Sequence, residues 1–417
     1  MRGENLFDGC LILPPDADLR TGTKEIPGTA GVCLLTNDQL QPVLLLYGAN
    51  LRILVRRRLT VETEGDQNDT QSVSRRTRLR PIVTRIWFRR TYSPFETQLA
   101  YFRIAREVYP ETYQEWFGNL DTWFLHLNSA GEYPFWEITS QLRAETVSYW
   151  GPFATKKTAA TYLEILQSLF DLCRCPDRIN RERCSQSCAY AQMNRCGALE
   201  QGEFSPEKYH ALIREAAQFL NDIPPQIQTW REQMKRLSAD LQFEKAQRLK
   251  ERIAQGQKLL AENYRWVMPL EKFYVLSFQH GPKMKSSGRK KEPTLSGFLL
   301  SLWGIDQIEP IPLSQAPQAA QGLLDHLHLK QLQIETSASL VPSELFVWAT
   351  HILYKKNRDK NLFLRAQNDL TAEQIAQRIR QHFSRPAQAN HKLKLDNLSL
   401  TEHKEEDLNE NELDKKK

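Results

Sequence analysis

Five of the seven cysteines fall between Cys173 and Cys196, at Cys173, Cys175, Cys184, Cys188 and Cys196. Thiols gathered this closely ordinarily hold a metal, a cluster or a disulfide. The N-terminus, MRGENLFDGCLILPP, has only a few apolar residues together and no secretory h-region. No run of about eighteen apolar residues exists either, so no membrane span is expected. The expected compartment is the reducing cytoplasm, where clustered cysteines favour metal over disulfide. Four thiolates suit a [4Fe–4S] cluster, and tetrahedral zinc accepts the same set.

A second group with chemical potential is basic. The chain carries 56 Lys and Arg against 50 Asp and Glu, a net charge of +6. That excess permits nucleic-acid binding without demonstrating it. Its distribution is more telling. Arg52, Arg56, Arg57, Arg58, Arg75, Arg76, Arg78, Arg80, Arg85, Arg89 and Arg90 lie close together in sequence. Arginine suits bidentate phosphate contacts, although a solvated surface with ordinary ion pairs would carry the same residues. The scattered histidines are less suggestive. In Asp325-His326-Leu327-His328 a helix would point the two imidazoles to different faces, so no metal site is expected there.

The elements that position these groups can be read in outline. With 417 residues, 41% of them hydrophobic, two or three domains with buried cores are expected. Residues 1–26 read as a loosely ordered arm. GVCLLTNDQLQPVLLLYG reads as two strands around a turn at Asn37-Asp38, followed by a basic helix, NLRILVRRRL. Glu62 to Ser74 is polar and loop-like. PIVTRIWFRR predicts a strand, and Glu96 to Val108 a helix stopped by Pro110. TWFLHL and YPFWEIT predict strands, and TKKTAATYLEILQSLF a helix. Ser205 to Leu220 predicts an amphipathic helix started by Ser205-Pro206-Glu207. Pro224-Pro225 should break the chain, and Gln226 to Asn263 should be helical with a turn back at Gly256. From 270 to 384, strands (KFYVLSF, TLSGFLLSLW) mix with helices (PQAAQGLLDHL, LTAEQIAQRIRQHF). The lysine-rich stretch Gly281–Pro293 is expected to be a loop between the two strands. The charged end after Arg385 is expected to be a disordered tail.

Three blocks, in order, resemble the UvrC family of bacterial nucleotide excision nucleases. Tyr149-Trp150-Gly151-Pro152-Phe153, with the LQSLFDLCRC that ends the next helix, resembles the family's YFGPY and LFxLRxC segments. Cys188 to Cys196, CAYAQMNRC, resembles its CLYYQIGRC. Met234 to Ile253, MKRLSADLQFEKAQRLKERI, resembles its UVR motif, with Leu241, Phe243, Glu244, Ala246, Leu249 and Ile253 in register. The residues alone say that Met234, Leu237, Leu241, Ala246, Leu249 and Ile253 form a helical apolar stripe that must be covered, within a hairpin or by a partner. The resemblance implies a partner, UvrB or a UvrB-like helicase. It points to docking through Leu241, Phe243, Glu244, Ala246 and Leu249, with Phe243 as the apolar anchor.

The resemblance also implies an iron–sulfur cluster. Cys175, Cys188 and Cys196 fall on three family positions. The fourth falls on Glu200, which leaves Cys184 as the substitute ligand, with Cys173 a second candidate. The family opens with a GIY-YIG nuclease domain, and there the likeness weakens. The first motif tyrosine falls on Cys33, the second motif is two residues short around Tyr47, and the arginine expected after LRK falls on Leu54. The metal-binding glutamate falls on Tyr101, with Glu96 the nearest carboxylate. Such cleavage requires a tyrosine to help activate water, an arginine on the phosphate and a carboxylate on the metal. The best remaining catalytic candidates are Tyr47, Arg52 and Glu96. Mg²⁺ or Mn²⁺ is implied only if they act. Asn50, Arg52, Arg56, Arg57 and Arg58 are the candidate DNA-binding residues. No strand-borne Asp pair with a His marks the family's second, RNase H-like nuclease.

The expected fold is a multidomain α/β (α+β) chain. It comprises an arm (1–26), a degenerate GIY-YIG-like mixed sheet with helices (27–120), a linker with the cysteine-rich segment (121–222), a UVR helical hairpin (223–264), a C-terminal α/β domain (265–384) and the tail (385–417). The expected function is DNA repair: docking on UvrB and contacting DNA, without GIY-YIG catalysis. The alternatives are an active metal-dependent endonuclease making a single incision, and a non-catalytic iron–sulfur scaffold or redox-sensing module.

Overall fold

The computed structural model describes residues 3–14, 16–60, 79–117, 122–142, 148–175, 188–193, 195–200, 203–285, 291–336, 344–354, 361–366 and 370–383. The polar stretch Glu62–Ser74 and the 385–417 tail lie outside them.

The first part of the chain contains β1 (Gly9–Ile12), α1 (Leu19–Gly22), β2 (Gly31–Thr36), β3 (Pro42–Gly48), α2 (Leu51–Leu59), β4 (Arg85–Arg90), α3 (Pro94–Val108) and α4 (Tyr113–Phe117). The strands form one antiparallel sheet, ordered β1-β4-β2-β3. Every residue of β2 is buried, as a central strand covered on both faces requires. Asn50 starts α2 by accepting the Ile53 amide at 3.0 Å. That helix lays Leu51, Val55 and Leu59 on one face of the sheet, and α3 covers the other. Ser93 caps α3, with Pro94 in its first turn.

Residues 1–26 are not a loose arm. β1 pairs with β4 along its whole length, and Leu13 and Ile26 are fully buried. Arginines clamp this segment. Arg52 donates to the Ile26 and Lys24 carbonyls at 2.9 and 2.8 Å. Arg56 donates to the Thr23 hydroxyl and the Arg20 carbonyl, Arg80 to the Pro14 and Ala17 carbonyls, and Arg89 to the Leu6 carbonyl. Side chains from later in the chain thus satisfy backbone acceptors that the sheet leaves over.

Next come β5 (Trp123–Asn128), β6 (Phe135–Thr139), β7 (Tyr149–Phe153), α5 (Lys156–Leu169), α6 (Ala189–Gln192), β8 (Leu199–Glu200), β9 (Glu203–Phe204), α7 (Pro206–Asn221), α8 (Ile223–Ala239), α9 (Phe243–Lys258) and β10 (Met268–Pro269). The second sheet is ordered β10-β7-β5-β6. A reciprocal capping box between Thr155 and Thr158 starts α5. The core of this region gathers Leu125, Trp150, Leu166 and Phe170 with Phe219, Ile227, Trp230 and Ile253 of the later helices.

The helical run breaks at the Pro224-Pro225 site: α7 ends at Asn221, Asp222 separates it from α8, and the two prolines occupy the first turn of α8, where a missing N–H costs nothing. One expectation fails here. The hairpin turns at Asp240-Leu241-Gln242, with Leu241 left-handed at φ 59°, and not at Gly256. Gly256 lies inside α9 because a Cβ there would stand 3.2 Å from Phe219 Cζ and 3.4 Å from Trp230 Cζ3.

The last part holds β11 (Tyr274–Lys285), β12 (Lys291–Ser301), β13 (Gly304–Pro312), α10 (Ala316–Thr336), α11 (Glu344–Leu353), β14 (Leu362–Arg365) and α12 (Ala372–Phe383). The sheet is antiparallel, ordered β13-β12-β11-β14. α10 and α12 cover one face; α11 and the far side of α3 cover the other. The stretch Gly281–Pro293 is not simply a loop. The two strands run on through it as a ribbon, pairing as far as Lys285 and Lys291.

One core therefore joins the first and third sheets through α3 and α11. Phe95 of α3 meets Phe298 of β12 edge-on at 4.8 Å. Arg103 donates to the Ile305 carbonyl at 2.7 Å, Tyr113 donates to Glu344 at 2.6 Å, and the Thr122 and Thr350 hydroxyls bond at 2.7 Å.

Candidate functional site

In the first sheet, the three candidate catalytic side chains enter three different neighbourhoods. Tyr47 on β3 lies opposite Val32, and its half-buried ring meets Tyr101 of α3 at 4.8 Å. Cys33, one residue on from Val32, projects to the other face among Leu35, Val55 and Ile86. It is fully buried, and burial pushes its thiol up to about 12, so it is protonated at neutral pH. Arg52 is engaged by the carbonyls at 24 and 26. Glu96 sits in the first turn of α3, 4% exposed. It accepts the Tyr92 amide at 2.8 Å and the Gln307 amide group of β13 at 2.9 Å. Burial raises its pKa, with those two bonds opposing the shift. Gln307 is 211 residues away in the chain, and no local pattern marks it as the partner of Glu96.

Among the candidate DNA-binding residues, Asn50 is a helix cap, and Arg52 and Arg56 are clamps on the N-terminal segment. Arg57 is exposed and Arg58 half-buried at the end of α2.

The cysteine segment is positioned by α5 and α6. Cys188, buried, precedes the first turn of α6. Asp171 adopts a left-handed conformation, and its carbonyl accepts the Gly197 amide at 2.8 Å. This bond closes the 171–175 stretch onto the 195–198 stretch. The Arg174 guanidinium lies 4.8 Å from the Tyr190 ring centre, a second tie between the two sides. Burial is the largest cause raising the Cys196 thiol pKa, with Cys188, Asp171 and Cys175 adding to it. Backbone amides also address these sulfurs: Cys175 N–H donates to Cys173 Sγ at 3.4 Å, and Ala198 N–H reaches Cys196. Cys184 lies outside the described residues. Among the described residues no three His, Cys, Asp or Glu side chains are gathered in a metal-holding geometry. Glu200 pairs with Lys208 at 3.3 Å.

The helical hairpin divides its apolar stripe in two. Ala246 and Ile253 are buried, and Met234 and Leu249 half-buried, against the core beneath. Trp230 stacks on Phe219 at 5.0 Å with 8° between the planes. Arg252 lies over both Trp230 and Phe170, at 4.5 and 5.0 Å, and pairs with Glu215 at 2.5 Å. The tip is different. Leu241 is 73% exposed and Phe243 62%, with Glu244 exposed beside them.

Residues 122–219, which hold β5, β6 and β7 of the second sheet with α5, the cysteine segment and most of α7, match a family model described as "UvrC/Cho excinuclease, middle domain". Over these residues the chain is similar to that middle domain. It is a UvrC-like protein, similar to UvrABC system protein C of Helicobacter pylori strain G27, with 25% identity over 304 residues, 68% of this chain and 49% of that one. It is also similar to the Neisseria meningitidis serogroup B protein of the same name, 34% identical over 106 residues, 25% of this chain and 17% of that one. The Geobacter metallireducens protein is 31% identical over 130 residues, 31% and 21% of the two chains. The chain spans about half the length, or less, of the curated relatives it matches. No solved structure matches it. Among the described residues no helix is long and apolar enough to cross a membrane.

Proposed function

We propose that this UvrC-like chain works in nucleotide excision repair by docking on UvrB, or on a UvrB-like helicase, and contacting DNA, with no strand cleavage by its N-terminal sheet. The observation that carries the docking is the exposure of Leu241 and Phe243 on a hairpin whose Met234, Leu249 and Ile253 are packed and whose Ala246 is buried. Two neighbouring exposed apolar side chains on a rigid helical tip are a natural anchor for a partner helix. Ala246 and Leu249 act from beneath, holding the tip, and Glu244 supplies a polar contact. Catalytic silence is supported by the separate engagement of Tyr47, Arg52 and Glu96 and by the protonated, buried thiol at Cys33. Cys175, Cys184, Cys188 and Cys196 would supply four soft thiolate donors to a [4Fe–4S] cluster, with zinc the alternative; either would pin the segment between α5 and α7.

The test is an anaerobic mixture of the protein with UvrB on a damaged, end-labelled duplex and Mg²⁺ or Mn²⁺. A supershifted UvrB–DNA band without a nick is expected, and Phe243→Ala should abolish the supershift. A discrete metal-dependent nick would instead establish an active endonuclease. Neither nick nor shift would end the docking reading and leave a scaffold.

A further inference from the structure

Four of the N-terminal arginines that composition nominates for phosphate contact, Arg52, Arg56, Arg80 and Arg89, are engaged with backbone carbonyls, and Arg90 pairs with Asp8. A different basic element is better placed. Beyond a register shift between His280 and Lys283, β11 and β12 continue as a two-stranded ribbon with the pairs Lys283↔Pro293, Met284↔Glu292 and Lys285↔Lys291. Side chains alternate across a strand, and directly opposed residues share a face. By that register, positions 283, 285 and 291 fall on one face of the ribbon. Lys285 and Lys291 are direct partners in the backbone register. The nearby acid Glu292 belongs to the opposite face, where its carboxylate accepts the Ser314 hydroxyl at 2.8 Å. Lys283 and Lys291 are exposed and have no ion-pair partner among the described residues.

The base of the ribbon is held firmly. A Cβ at Gly281 would lie 2.3 Å from Thr294 Oγ1 and 3.0 Å from the Tyr92 carbonyl, so only glycine permits this approach to the β4–α3 connection. On the other side His280 meets the Phe383 ring of α12 at 5.6 Å. A basic arm fixed at its root can present its charges in register.

We propose that the β11–β12 ribbon is a duplex-DNA contact, with Lys283, Lys285 and Lys291 neutralising backbone phosphates. This rests on the DNA-binding part of the function proposed above and moves the main contact away from α2. A two-stranded ribbon fits the major groove, which is about 12 Å wide. Lys283 and Lys285 recur about 6.8 Å apart along their strand.

The experiment measures anisotropy of a short fluorescein-labelled duplex with the full chain across a salt series. In Lys283→Gln/Lys285→Gln/Lys291→Gln, the slope of log K against log salt should flatten by about 2.7, or about 0.9 per lost phosphate contact, and binding should weaken by roughly 500-fold at ~0.1 M salt, taking equal affinities at ~1 M. The triple Lys→Arg variant should keep the wild-type slope. Arg57→Gln/Arg58→Gln should change it by less than about 1. UvrB capture by the triple Gln variant should equal wild type, which also shows that it is folded. An unchanged slope in the triple Gln variant overturns the assignment. So does loss of the slope in the α2 variant alone. Absence of any duplex binding by wild type, with UvrB capture intact, overturns the ribbon and the DNA contact together while sparing the docking.

Discussion

Replacing Arg52 with alanine separates two roles for the basic cluster, because a phosphate ligand and a structural clamp respond oppositely. Arg52 donates through Nε to the Ile26 carbonyl and through Nη2 to the Lys24 carbonyl, at 2.9 and 2.8 Å. Bonds from a charged donor contribute about 1.5–3 kcal/mol each when buried. Arg52 is only half-buried, so water can replace part of each bond, and about 1 kcal/mol apiece is appropriate. The expected local loss is therefore about 2 kcal/mol, an increase of roughly 30-fold in exchange through local opening. The assay is native-state hydrogen exchange of the amides that close this region, Ile26 to Thr23, Leu51 to Thr29 and residue 52 to Pro27. Arg52→Lys, which loses the two-pronged geometry but keeps the charge, should cost about half as much. Duplex affinity should fall little in either variant. Exchange within about threefold of wild type, together with a large loss of DNA affinity, would refute the clamp and restore Arg52 as a phosphate ligand.

At the hairpin tip, Leu241→Ala and Phe243→Ala should leave thermal stability within about 0.5 kcal/mol, since both side chains are exposed, while UvrB capture is lost in a pull-down. Cys33→Tyr, which restores the family's motif residue, should destabilise the chain by about 3 kcal/mol because the site is fully buried, and should give no nick in the incision assay. Burial raises the Glu96 carboxyl pKa above its ordinary 4.5, so its contribution to stability is greatest while protonated and is lost as pH rises through the folded-state value. Glu96→Gln should remove that dependence, as read from denaturation midpoints between about pH 4 and 8. Anaerobic reconstitution should give broad visible absorbance with iron and acid-labile sulfide, lost in Cys175→Ser, Cys188→Ser and Cys196→Ser; zinc alone in the metal analysis would replace the cluster.

Much of the fold was legible because it is locally determined. The run from Gly31 to Gly48 announced its hairpin, NLRILVRRRL its basic helix, and Ser205-Pro206 the start of α7. β1 was not legible. It is four residues long, lacks clean alternation, and depends on arginines 26 to 83 positions away for its neighbourhood. The hairpin turn was misplaced because Gly256 is the obvious breaker, whereas a leucine took the left-handed position and the glycine served close packing instead. Of the candidate site, the hairpin tip and the cysteine segment were visible through resemblance. What became of Arg52, Arg56 and Glu96 could not be seen, because carbonyls and a distant glutamine leave no signature in the residues beside them.

The core shared by the first and third sheets has a consequence during synthesis. The outer side of α3, with Phe95 and Phe102, is sealed by Phe298 and by Trp348 of α11. The tie between Thr122 and Thr350 spans 228 residues. At about 5–20 residues per second, the ribosome takes roughly 10–50 s to deliver the covering elements after the N-terminal sheet has emerged. Throughout that interval a helix rich in aromatic residues stands uncovered on a nascent chain. The protein should therefore need chaperone shelter during translation, and a fragment ending near residue 120 should aggregate rather than fold as a separate domain.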